Sequence, residues 1–85
     1  MNWTVVWFES AQNHLAELWL QALDREDVAT AANTIDARLR RDPFQYSESR
    51  SGNNRVMFIP PLGVSFDVSI DDRLVTVLAV WRTTV

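Results

Sequence analysis

The chain has 85 residues, of which 47% are hydrophobic, enough for the core of one small domain spanning 1–85. With no cysteine and one histidine, it offers no disulfide, no thiolate metal site and no histidine metal cluster, so we expect neither a metal nor a cofactor. The net charge of −3 argues against a general affinity for nucleic acids.

The N-terminal segment predicts a strand and not a targeting sequence. MNWTVVWFES lacks the basic start and long apolar run of a signal peptide. No segment reaches the roughly 20 apolar residues that a membrane span requires. We therefore expect a cytoplasmic protein with no membrane contact. From Trp3 to Phe8, β-branched and aromatic residues dominate, which favours a mostly buried strand.

Two amphipathic helices follow, joined closely enough to form an antiparallel hairpin. Ser10 is the expected N-cap of the first helix and Asp24 that of the second. Apolar residues recur at helical spacing in both, namely Ala11, Leu15, Leu18, Trp19, Ala22, and then Val28, Ala31, Ala32, Ile35 and Leu39. His14 lies at the edge of the first stripe, and we interpret it as a boundary residue. Asp42-Pro43 ends the second helix.

Five of the eight arginines lie between Arg38 and Arg55, so this window carries +3 in a chain of −3. The helix dipole favours positive charge in the last turn, which is one explanation. The other is a patch that binds an anion or a partner, for which the candidate residues are Arg38, Arg41 and Arg50. Residues 44–54 are rich in turn formers and predict a loop.

The C-terminal part predicts three strands in a meander. Arg55–Ile59 forms a short strand that ends at Pro60-Pro61. Val64–Ile70 alternates apolar and polar residues, which indicates one buried and one wet face, and Asp71-Asp72 forms a tight turn. Leu74–Arg82 is apolar on both faces and should be an interior strand. The predicted fold is α+β, β-α-α-β-β-β, with the helical hairpin on one face of a four-stranded, mainly antiparallel sheet.

The other face of that sheet needs a cover, which a loop, a second copy in a homodimer or a segment of a partner could supply. We expect the four tryptophans to belong mainly to the core, with an interface as the alternative for Trp81.

Three stretches together resemble the RelE/ParE toxin superfamily, which includes bacterial proteins labelled plasmid stabilisation. They are TVVWFESAQNHLAELW for the first strand and helix, VATAANTIDARLRRDP for the second helix, and NRVMFIPPLGVSFDVSIDDRLVTVLAVWR for the meander. The resemblance implies a toxin-antitoxin protein that an antitoxin wraps with its C-terminal segment. RelE-like members cleave ribosome-bound mRNA without a metal, and ParE-like members poison DNA gyrase.

The basic residues that RelE-like cleavage needs are mostly missing. Arg55 and Arg82 match basic positions of the second and fourth predicted strands, and they are the candidate catalytic residues. The arginine that usually opens the third strand falls at Gly63, or at Val64 with a slip of one residue. The last residues, Thr83 to Val85, supply neither a second arginine nor the usual tyrosine.

The resemblance therefore favours a non-enzymatic member that acts through protein contacts, either ParE-like or no longer toxic. One alternative is a weak ribosome-dependent mRNA interferase using Arg55 and Arg82. Another is a structural or regulatory module of the same fold.

Overall fold

A computed structural model describes residues 2–83. In that range the chain forms two helices and one five-stranded mixed sheet. The helices are α1 (Glu9–Gln21) and α2 (Arg25–Arg41). The strands are β1 (Thr4–Trp7), β2 (Ser47–Ser49), β3 (Asn54–Ile59), β4 (Leu62–Ser69) and β5 (Leu74–Arg82).

The strand order is β1-β5-β4-β3-β2. β1 pairs with β5 in parallel, Thr4 lying opposite Leu74, and the other pairs are antiparallel. The interior position predicted for the last strand is thus confirmed, since it has a neighbour on each side. A register shift between Ser65 and Phe66 leaves Leu78 of β5 without an opposite residue.

The prediction of four strands is wrong because residues 47–49, expected to be loop, form a fifth strand. Ser47 lies opposite Met57, and Ser49 lies opposite Arg55. The segment Ser-Glu-Ser has no apolar alternation, so its composition gives no strand signal. It joins the sheet through its backbone, which pairs with an edge of β3 that would otherwise be open.

The helix starts differ from the predicted caps. α1 begins at Glu9, and Phe8 occupies its N-cap position without a side-chain hydrogen bond, so the predicted Ser10 cap is wrong. Asp24 does occupy the N-cap position of α2, but its carboxylate accepts a hydrogen bond from Arg82 and not from the helix amides. Within residues 2–83, no helix is both long and apolar enough to span a bilayer.

Both helices pack on the side of the sheet to which alternate residues of the central strands point. The main members of this core are Ala11, Val28, Ala31, Ile35 and Leu39 from the helices, with Met57, Leu62, Val64, Phe66, Val68, Val75, Val77 and Val80 from the strands. Ser65 and Asp67, on the other face, are half-buried. Ile70, expected to continue the buried series, is 66% exposed because β4 ends at Ser69.

The four tryptophans differ in burial. Trp3 is buried in the core, whereas Trp7 and Trp81 are half-buried. Trp19 is 40% exposed, so the prediction of a core position is wrong for this residue. Its ring instead lies under the guanidinium of Arg25, 4.8 Å from the ring centre.

Candidate functional site

Gly63 lies on the outer face of the sheet, the face away from the helices, and the space around it determines whether a side chain fits there. Gly63 lies in β4, opposite Trp81 of β5 and Phe58 of β3. A Cβ atom at position 63 would stand 2.8 Å from Cε2 and Nε1 of the Trp81 indole. Carbon atoms pack at about 3.5–4.0 Å, so a side chain fits only if the indole moves. The position where the resemblance expects an arginine is therefore filled from the neighbouring strand.

The alternative position, Val64, cannot hold an arginine either. Val64 is fully buried, with 0% of its surface exposed, and it belongs to the core under the helices. A guanidinium at this position would be buried away from water with no hydrogen-bond partner, and burying an unpaired charge costs free energy. The outer face presents aromatic rings instead. Phe58, 48% exposed, meets Trp81 edge to face, with 6.1 Å between ring centres.

Arg55 holds the edge strand to the sheet. Its Nε donates to Ser47 Oγ at 2.8 Å, and its Nη2 donates to the Ser47 carbonyl at 3.0 Å. The guanidinium also lies over the ring of Phe44, 5.2 Å from its centre. Ser47 Oγ in turn donates to the carbonyl of Pro43 at 2.7 Å. The first candidate catalytic residue is thus bonded to β2 and to the turn before it.

Arg82 binds the turn between the helices. Its Nη2 donates to Asp24 Oδ2 at 2.7 Å. This hydrogen bond is the main reason that the pKa of Asp24 lies below its usual value, and it raises the pKa of Arg82. Both side chains are partly exposed, so water and salt screen the pair. Thr84 and Val85, which the resemblance compares with a catalytic terminus, lie outside the described residues.

The structure does not bring Arg55 and Arg82 together. On β4 they lie opposite Phe66 and Leu62, which are four positions apart, or about 13 Å at the usual rise of a strand. β4 also separates their two strands, and their guanidinium groups bind different elements, Ser47 of β2 and Asp24 at the start of α2. They do not form a common anion site.

The structure brings together two of the three candidate anion-binding arginines. Arg38 and Arg41 lie at the end of α2 and line a cleft of about 240 Å³. Asp42, Gln45 and Tyr46 complete its lining. Arg50 is not part of it and pairs with Glu48 at 3.3 Å.

Tyr46 is a neighbour of this basic cluster that the sequence does not indicate. The Arg38 guanidinium lies over the Tyr46 ring, 4.5 Å from its centre. Tyr46 has a φ of 67°, a left-handed conformation in which the chain reverses toward the helix end. Glycine is the residue that usually marks a left-handed conformation in a sequence. Tyrosine gives no such signal, so the contact between Arg38 and Tyr46 is visible only in the structure.

Among residues 2–83 no three histidine or acidic side chains lie close enough to hold a metal ion. His14 is half-exposed on α1, with its Nδ1 3.7 Å from the Glu17 carboxylate. The chemistry that the Arg38–Arg41 cleft offers is hydrogen-bond donation to an anion.

The helical hairpin on one face of a mixed sheet is an arrangement that this chain shares with solved structures of RelE toxins. A chain of the RelBE2 toxin–antitoxin complex of Mycobacterium tuberculosis matches with a TM-score of 0.78 and 15% identity, covering 96% of this chain and 99% of that one. The archaeal RelE–RelB complex of Pyrococcus horikoshii gives 0.66 and 13%, covering 99% and 98%. The isolated RelE toxin of E. coli gives 0.65 and 12%, covering 98% and 86%.

These matches confirm the RelE/ParE resemblance at the level of the fold. No protein-family model matches the chain, and no curated protein matches its sequence. At identities of 12–15% a shared fold carries no activity with it, so function has to be argued from the residues described above.

Proposed function

We propose that this chain is a RelE/ParE-like toxin–antitoxin protein that acts through protein–protein contacts and does not cleave RNA. The observation that carries the proposal is the Trp81 indole, which occupies the space next to Gly63 where a side chain would begin. Metal-independent RNA cleavage requires donors aimed at the charge that develops on the phosphate. Loss of one such donor commonly costs about 3 kcal/mol, roughly a hundredfold in rate.

The environments of Arg55 and Arg82 support the same proposal. A guanidinium holds its proton too tightly at neutral pH to act as a general acid or base. Each side chain also has a structural partner, Ser47 for Arg55 and Asp24 for Arg82. Those hydrogen bonds fix the direction of each guanidinium and leave fewer of its five donors for a phosphate.

The proposed partner is an antitoxin that contributes a C-terminal segment, and the proposed location is the cytoplasm. Support comes from two structural neighbours, which are toxin–antitoxin complexes from Mycobacterium tuberculosis and Pyrococcus horikoshii. The proposed cellular target is DNA gyrase if the chain is toxic, and there is none if it is a non-toxic relative. A homodimer stays a prediction.

Induction of the chain in bacteria without an antitoxin tests the proposal. We expect intact mRNA by primer extension on a translated message, together with either growth arrest and DNA damage or normal growth. Growth arrest with DNA damage would favour gyrase poisoning, and normal growth would favour a non-toxic relative. Cleavage of the message would overturn the proposal.

A matched pair of variants identifies the source of any cleavage. Arg55→Ala and Arg82→Ala remove the two arginines assigned to the interferase alternative. Cleavage that occurs in the parent chain and disappears in variants that circular dichroism shows to be folded would establish ribonuclease activity and reject our proposal. Separately, a small gene next to this one whose product copurifies with the chain would support the antitoxin partner.

A further inference from the structure

The three arginines in the last turn of α2 have different environments. Arg40 is bonded, with its Nε donating to Asp36 at 2.7 Å and its Nη2 to the Val5 carbonyl at 3.5 Å. Arg38 is half-buried, and its guanidinium lies over the ring of Tyr46. Arg41 is exposed. Arg40 therefore has a structural role, whereas the other two line the cleft.

The cleft has an excess of positive charge. Within residues 2–83, neither Arg38 nor Arg41 forms an ion pair with an acidic side chain. The one carboxylate in the lining, Asp42, accepts a hydrogen bond from the Phe44 amide through Oδ1 at 3.0 Å. Two cations thus face one anion that already has a partner.

The side chains that line the cleft are mainly hydrogen-bond donors. The lining residues carry two guanidinium groups, an amide on Gln45 and a hydroxyl on Tyr46. A guanidinium binds a carboxylate through two parallel hydrogen bonds, which makes the contact both strong and directional. Stacking on Tyr46 restrains Arg38 before any ligand arrives, so binding loses less side-chain entropy.

We propose that the cleft formed by Arg38, Arg41, Gln45 and Tyr46 binds an acidic side chain of a protein partner. This inference rests on the proposed function, in which the chain acts through protein contacts. A protein is favoured over RNA because a nucleic-acid strand needs a track of cations for successive phosphates. Here the next arginine, Arg50, is paired with Glu48, and the chain is negative as a whole.

A titration with a capped peptide of four glutamates, followed by NMR at about 0.15 M salt, tests the proposal. We expect saturable shifts of the Arg38 and Arg41 Nε–H signals. Arg41→Gln should weaken binding about tenfold, because one charge-assisted contact is lost. Arg50→Gln is the matched control: it removes the same charge from a neighbouring loop and should change affinity by less than about twofold.

Three outcomes would overturn the proposal. One is equal weakening by Arg50→Gln and Arg41→Gln, which would indicate general electrostatic attraction. Another is tighter binding of a single-stranded uridine oligonucleotide than of the peptide, which would make the cleft a nucleic-acid site. The third is the absence of saturable binding to either probe.

The result is separable from the test of the proposed function. Cleavage of mRNA in cells would reject the non-enzymatic role and leave the peptide titration unchanged. If the peptide did not bind and mRNA was not cleaved, only the proposal that the cleft binds an acidic side chain would be rejected. Arg41 is exposed and has no partner within residues 2–83 apart from the cleft lining, so Arg41→Gln should keep the fold, as an unchanged urea midpoint would verify.

Discussion

The outer face of the sheet around Gly63 and the cleft at the end of α2 are both accessible, but they offer opposite chemistry. On the sheet, Phe58 and Trp81 present aromatic rings, and position 63 has no room for a side chain. At the helix end, Arg38 and Arg41 line a cationic cleft. A shared fold therefore preserves layers and strand order, while individual side chains determine where charge lies.

The arginines of the two regions differ in their bonding. Arg55 and Arg82, on the strands, are bonded to Ser47 and Asp24, which ties them to the structure. Arg38 and Arg41 lack an ion pair within residues 2–83. Replacing an arginine of the first kind should therefore affect folding, and replacing Arg41 should affect binding.

The largest effect is expected at Gly63. Gly63→Ala should lower the free energy of unfolding by about 2 kcal/mol, because overpacking a filled site typically costs 1–3 kcal/mol. Gly63→Arg should cost more, since its longer side chain must also displace the indole and its contact with Phe58. Urea unfolding followed by circular dichroism measures both changes.

Gly63→Ala in a chain that also carries Trp81→Ala is the control. Removal of the indole leaves space beside position 63, so Gly63→Ala should then cost little. Equal costs in the two backgrounds would mean that Trp81 is not what excludes a side chain, and the contrast between the two regions would lose its basis.

The next effect is expected for Arg55. Arg55→Ala should lower the free energy of unfolding by about 2 kcal/mol, because two hydrogen bonds to Ser47 and the contact with Phe44 are lost. Arg55→Lys should recover little, since an ammonium cannot reproduce the planar two-donor geometry. Thermal and urea unfolding measure the change.

Arg41→Ala serves as the reference in that experiment, with an expected change within about 0.5 kcal/mol for an exposed side chain. If Arg41→Ala destabilised the chain as much as Arg55→Ala, the division into structural and partner-binding arginines would fail.

The smallest effect concerns the exposed pair of Asp24 and Arg82. The Arg82 hydrogen bond lowers the pKa of Asp24 below 3.8 in the folded state. The stabilisation is therefore complete above the unfolded-state pKa and is lost as the pH falls through the lower folded-state value. Unfolding free energy measured from neutral pH downward should fall more in the parent chain than in Asp24→Asn. Parallel curves would contradict this role of the pair.

Much of the fold was predictable because it follows from periodicity within a segment. Val64, Phe66 and Val68 alternate with polar residues, and the structure buries all three. Ile70 follows the same period but lies beyond the strand end, which alternation alone does not locate. Edge strand β2 depends on backbone pairing with β3, and its residues carry no apolar signal.

The candidate site was less predictable because it depends on contacts between distant segments. The sequence shows a glycine at position 63, but the reason that no side chain fits is Trp81 on another strand. Likewise, nothing local indicates that Tyr46 turns back under Arg38. Such contacts exist only after the strands and turns are in place.

The parallel pairing of β1 with β5 also governs how the chain can fold while it is being synthesised. Thr4 is made before both helices, whereas its partner Leu74 is made only after both helices and three other strands. A nascent chain that stops before Leu74 lacks β5, the strand that lies between β1 and β4, so β1 has no strand to pair with. Contacts so distant in sequence form late, so an interrupted translation product has no completed sheet and should be a substrate for proteolysis.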